Sequence, residues 1–140
     1  MIILDTDVIA EPLRPRGSEA VIRWLDAQAV ESLYITAINT AELWAGVALM
    51  PDGARKRALE GSLADLLDRL FGRRRLDFDD RAARAYAEIA RSTTAAGSPI
   101  GLADGLIAAI AHARGFAVAS RDTAPFRAAG VDVIDPWDTA

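Results

Sequence analysis

Short, wholly apolar runs punctuate a chain in which apolar residues otherwise recur every three or four positions. Ile2–Leu4, Leu33–Thr36 and Ala117–Ala119 have the length and bounding residues of buried strands, with weaker strands expected over 75–78 and 131–134. Helical spacing covers 18–27, where Val21, Trp24 and Leu25 share a face, and 37–50, where Pro51 ends it. It also covers 54–71, with Leu59, Leu63, Leu66, Leu67 and Leu70 as its stripe, and 81–95, which stops near Gly97 and Pro99. Leu102–Arg114 is the most apolar helix, and Gly115 follows it as a C-terminal stop. Apolar strands alternating with helices predict an α/β fold with a parallel sheet covered on both faces. In such sheets ligands bind beyond the carboxyl ends of the strands.

The length of 140 residues fits one domain spanning 1–140, with no repeat or linker. With no cysteine and a single histidine, His112, the chain excludes disulfides, a thiol nucleophile and a multi-histidine metal site. Any metal must be held by oxygen, which suits Mg²⁺ or Mn²⁺. No basic leader precedes Ile2, and no run approaches the ~18 apolar residues of a membrane span. A cytoplasmic protein without membrane contact is expected. The formal charge of −4 argues against a grip on nucleic acid by bulk positive charge. It does not argue against a carboxylate cluster that holds a divalent ion.

Four acids stand where such a cluster forms. Asp5 and Asp122 each follow a buried strand, and Asp104 opens the most apolar helix. Glu42 falls on a helix face with Ile38, Ala45 and Leu49, which makes an uncompensated carboxylate there costly. Each has a plain alternative. Asp5 and Asp122 suit turns and helix caps, Asp104 suits a helix dipole, and Glu42 suits solvent if the helix is rotated. Taken together, four like charges repel unless a cation joins them, and a divalent ion also assists attack on a phosphate. The run Arg73-Arg74-Arg75 reads as a solvated loop rather than a grip on RNA, and His112 as a helix surface residue.

These strings resemble the PIN-domain ribonucleases, in particular the VapC-like and FitB-like toxins of toxin–antitoxin pairs. The resemblance is carried by Leu4-Asp5-Thr6-Asp7-Val8-Ile9, by Ile38-Asn39-Thr40-Ala41-Glu42-Leu43, by Ala103 to Ala109, by Ala119-Ser120-Arg121-Asp122-Thr123 with Phe126, and by Asp135-Pro136-Trp137. It implies a three-layer α/β/α fold and Mg²⁺ or Mn²⁺ bound by Asp5, Glu42, Asp104 and Asp122. Thr6, Asp7 and Ser120 would support them. It further implies RNA as substrate, a homodimer or larger toxin–antitoxin assembly, inhibition by a cognate antitoxin, and DNA contact only through that antitoxin. A surplus of leucine on 54–71 would supply the dimer surface, and an antitoxin residue would engage Arg121. Two positions depart from the pattern: Asp7 stands where relatives usually carry Asn, and Ser120 where Thr is commoner. A rival opening is also legible. Asp5-Thr6-Asp7 resembles haloacid-dehalogenase-like phosphatases, with Thr36, Lys56 and Asp79-Asp80 as later motifs. A second rival is a non-catalytic domain that only binds an antitoxin.

Overall fold

The computed structural model describes residues 1–138. In chain order it runs β1 (Ile2–Leu4), α1 (Thr6–Ala10), α2 (Glu19–Ala27), β2 (Leu33–Thr36), α3 (Ala37–Ala48), α4 (Ala54–Leu70), β3 (Arg75–Leu76), α5 (Asp80–Ala95), α6 (Leu102–Arg114), β4 (Ala117–Ala119), α7 (Thr123–Ala128) and β5 (Val133–Ile134). Single 3₁₀ turns follow α1, precede β2 and follow β5. The strands form one parallel sheet in the order β3-β2-β1-β4-β5.

The apolar runs are continuous because both sheet faces are covered. Successive residues of a strand point to opposite faces. Ile3 joins one core with α5, α6 and α7, whereas Leu4 joins another with α1 to α4, and both are fully buried. Val118 and Ala119 divide in the same way. The result is the three-layer α/β/α architecture expected from the sequence.

The order of the strands fixes where a site can form. From β1 the chain winds outward through β2 to β3, then returns to the other side of β1 as β4. The crevice between β1 and β4 is therefore a topological switch point, and Asp5 and Asp122 follow those two strands. α6 closes one side of it. It packs closely on α5 at Gly105, where a Cβ would stand 2.9 Å from Tyr86 Cε2 and 3.1 Å from Ile100 Cγ2. Gly105→Ala gains helix propensity but overpacks this seam. The expected net loss is about 1 kcal/mol, read as a fall in Tm of roughly 3 °C.

Several expectations need correction. The helix placed at 37–50 ends at Ala48, the strand at 75–78 shrinks to Arg75–Leu76, and that at 131–134 begins at Val133. Helices α1 and α7 were not foreseen. The buried face of α3 is Asn39, Leu43 and Val47; of the expected stripe only Ile38 packs against the core, Ala45 is exposed and Leu49 is 85% exposed. On α4, Leu63 and Leu67 are buried, and Leu59, Leu66 and Leu70 are partly buried against the same core. Arg74 is no solvated residue. Its guanidinium donates to the carbonyls of Leu33 (2.8 Å) and Leu70, tying α4 to the start of β2, and Arg75 donates to Gly72 O and Asp68. His112 is exposed, as expected.

Candidate active site

Asp5 is the anchor of the site. Its backbone N–H donates to Ala119 O (2.9 Å), which continues the β1–β4 pairing by one residue. The residue is only 8% exposed, and an anion so placed needs donors. Three are supplied. Thr6 N (2.8 Å) and Asn39 Nδ2 (3.2 Å) donate to Oδ1, and Ser120 Oγ (2.7 Å) donates to Oδ2. The plain reading of Asp5 as the cap of the next helix is thus also correct, because Thr6 opens α1. The two readings do not compete, since a carboxylate retains acceptor capacity beyond three hydrogen bonds.

Glu42 reaches this group from α3. Its residue is exposed, so the expected burial on an apolar helix face is absent. Thr6 Oγ1 donates to Glu42 Oε1 (2.8 Å), and Asn39 Nδ2 donates to Thr6 Oγ1 (3.1 Å). A chain of hydrogen bonds therefore runs from Asp5 through Asn39 and Thr6 to Glu42.

Asp104 and Asp122 complete the set. Asp122 occupies the N-cap position of α7 but makes no capping hydrogen bond with its side chain. Among the described residues no protein donor reaches the carboxylate of either acid. Asp104 is half-buried, and its pKa is raised above the ordinary carboxylate value. Burial is the chief cause, followed by the negative charges of Asp5, Asp122 and Glu42 in that order. The four acids thus share one electrostatic neighbourhood. Among the described residues, however, no three acidic side chains already stand together at a common coordinating distance.

Asp7 adds a fifth carboxylate. Oδ2 accepts from Arg121 N (3.1 Å), whereas Oδ1 is buried without a donor. Burial, and then the charge of Asp5, pushes its pKa up to about 6. An acid whose folded pKa lies above its unfolded value binds its proton more tightly when folded. The stability it lends is present below the unfolded value of 3.8 and is lost as pH rises through about 6. Above pH 6 the ionised Asp7 therefore costs stability, by about 1 kcal/mol once its partial exposure is discounted. In thermal melts without divalent ion, Asp7→Asn is expected to melt about 3 °C above the parent chain at pH 7.5, and to lose that advantage below pH 4. Equal melting temperatures at pH 7.5 would contradict this.

The sequence reading missed Asn39. This residue is fully buried, and its Oδ1 accepts from Thr36 Oγ1 (2.6 Å) and Thr36 N (3.2 Å) while Nδ2 serves Asp5 and Thr6. The available signal was the capping-box spacing of Thr36 and Asn39 at the start of α3. The residues that would serve a phosphatase are engaged elsewhere. Thr36 caps α3, Lys56 donates to Ala48 O and Asp52, and Asp79 caps α5 through Ala82 N. The guanidinium of Arg121 lies 5.2 Å from the ring centroid of Trp137. A groove of about 510 Å³ opens beside Thr6 and Glu42, lined mainly by apolar side chains such as Leu13, Leu43, Val47 and Leu59, with Arg14 and Arg55.

Comparison with known proteins identifies relatives of the whole chain. The chain is 48% identical over 141 residues to the VapC ribonuclease Y4jK of Sinorhizobium fredii, covering all of both chains. It is 46% identical over 137 residues to the toxin FitB of Neisseria gonorrhoeae, covering 98% of this chain and 99% of that one. A solved structure of FitAB bound to an IR36 DNA fragment contains a chain that superposes with a TM-score of 0.95 at 44% identity, covering 100% of this chain and 98% of that one. The PIN domain model matches residues 2–131, and the chain belongs to the PIN-domain family.

Proposed function

We propose that this protein is the toxin of a toxin–antitoxin pair and cleaves RNA phosphodiester bonds at a divalent cation held by Asp5, Glu42, Asp104 and Asp122. The observation that carries the reading is the gathering of these acids at the switch point, with Asp5 and Glu42 joined through Asn39 and Thr6 and with no protein donor on the carboxylates of Asp104 and Asp122. Like charges gathered at a structural cost, two of them with no protein donor, suit a cation. The donor set is all oxygen, which suits Mg²⁺ or Mn²⁺. When bound, such an ion supplies Lewis acidity toward the phosphate and lowers the pKa of a coordinated water.

The chain's own groups do the positioning. Ser120, Asn39 and the Thr6 N–H fix the plane of the Asp5 carboxylate, and the Thr6 hydroxyl fixes Glu42. Ligating carboxylates held in this way lose less order on binding. Glu42, exposed at the edge of the cluster, would contact a metal-bound water or a second ion, and in-line attack on the phosphodiester would leave a 5′-phosphate and a 3′-hydroxyl.

The cognate antitoxin is a protein partner, a reading supported by the FitAB relative. The apolar groove beside Thr6 and Glu42 offers it a seat next to the site. DNA would be met only through that partner, and the chain would work as a homodimer. The outward face of α3, with Trp44 and Leu49 exposed, is a better dimer candidate than α4. No described helix is long and apolar enough to cross a membrane, in keeping with cytoplasmic RNA as substrate. The test is cleavage of RNA by the purified chain. Activity is expected with Mg²⁺ or Mn²⁺ and is abolished by EDTA. Full activity in EDTA would sink the metal assignment, and no cleavage under any condition would favour a partner that acts only by binding its antitoxin.

A further inference from the structure

Asp122 follows β4 through a turn that must be held against β1 for the acids to meet. Ser120 holds one side of that turn, by its bond to Asp5. The other side is held by Asp7, whose Oδ2 accepts the Arg121 backbone N–H at 3.1 Å across 114 residues of sequence. The side chain of Arg121 lies over Trp137, so this one residue is held at both backbone and side chain. The other oxygen of Asp7, Oδ1, is buried with no donor. A buried acceptor left unpaired is a net cost, so the carboxylate is a poor device for stability alone.

We infer that Asp7 is a positioning residue for cleavage: through the Arg121 N–H it sets the peptide that presents Asp122. This rests on the ribonuclease reading above. One oxygen makes the tether and the second only adds cost, so the role belongs to the accepted hydrogen bond and not to the charge. An amide at position 7 keeps that acceptor.

The experiment compares Asp7→Ala with Asp7→Asn by two readouts. One is amide hydrogen exchange at Arg121 in the metal-free chain, and the other is the kcat and KM of RNA cleavage. In Asp7→Ala, Arg121 exchange accelerates by about tenfold, as loss of one hydrogen bond to a charged group allows. Its kcat falls about tenfold with KM for RNA unchanged, the scale of removing a group that orients a ligand. Asp7→Asn restores both to within roughly threefold of the parent, well inside that tenfold effect. Unchanged Arg121 exchange in Asp7→Ala overturns the tether. Failure of Asp7→Asn to restore kcat overturns the assignment to the hydrogen bond. The exchange readout needs no substrate, so a parent chain that cleaves no RNA overturns the functional reading separately from the tether.

Discussion

Asp104→Asn is expected to lower RNA cleavage by at least about 100-fold while raising the melting temperature of the metal-free chain. The two effects have one cause. Asp104 has a raised pKa because burial, Asp5, Asp122 and Glu42 all disfavour its charge. No protein donor holds the carboxylate, so the amide forfeits no hydrogen bond. An amide of the same shape removes the repulsion and keeps the packing on α6. It also removes one carboxylate from the proposed cation site. A merely structural role predicts the opposite sign for stability. As a first-turn acid, Asp104 would stabilise α6 by about 0.3–1 kcal/mol through the helix dipole, and the amide would lose that. The measurement pairs a cleavage assay with a thermal melt in EDTA. A variant that cleaves normally, or melts below the parent, contradicts the reading.

Phe126→Ala is expected to destabilise the fold by about 3–5 kcal/mol, a large part of the ~5–15 kcal/mol that holds most domains together. Phe126 is fully buried in the core that α5, α6 and α7 build on one sheet face, beside Ile3, Val118 and Val131. Its carbonyl accepts from Val131 N (3.0 Å), so the same residue holds the return from α7 toward β5. Truncating the ring leaves a cavity between α7 and the sheet that backbone already fixed by β4 and β5 cannot close. The expected fall in Tm is about 10 °C or more. Leu102→Ala is the control. Leu102 is 66% exposed at the start of α6, and its truncation is expected to change stability by less than about 0.5 kcal/mol.

Much of this fold was legible in the chain, and the reasons are physical. β1, β2 and β4 were placed to the residue because a strand buried on both faces writes itself as an unbroken apolar run. α6 was placed to the residue because Gly115 ends it in the left-handed conformation, at φ 68°. Helices α1 and α7 were missed because five and six residues are too few to display a helical period. The face of α3 was misjudged for a different reason. Ile38, Ala45 and Leu49 look like a core stripe, yet only Ile38 meets the core and the fold buries Asn39, Leu43 and Val47, with Asn39 facing Thr36 and Asp5.

The acids of the site were legible as a set, through their places after strands and on helices. Their connections were not. Ser120 to Asp5 and Arg121 to Asp7 span more than a hundred residues, and no local pattern records them. Glu42 shows the difference well. It reaches the site without the burial that made it look costly, through the hydroxyl of Thr6.

Whether four acids distant in sequence form one cation site is decided by calorimetric titration of Mn²⁺ into the parent chain and into Asp5→Asn, Glu42→Gln, Asp104→Asn and Asp122→Asn. The parent is expected to bind Mn²⁺, and each substitution to weaken the binding by at least about tenfold, since each removes one anionic oxygen donor from a shared ion. Undiminished affinity in any two of the four variants would show that the acids do not share an ion.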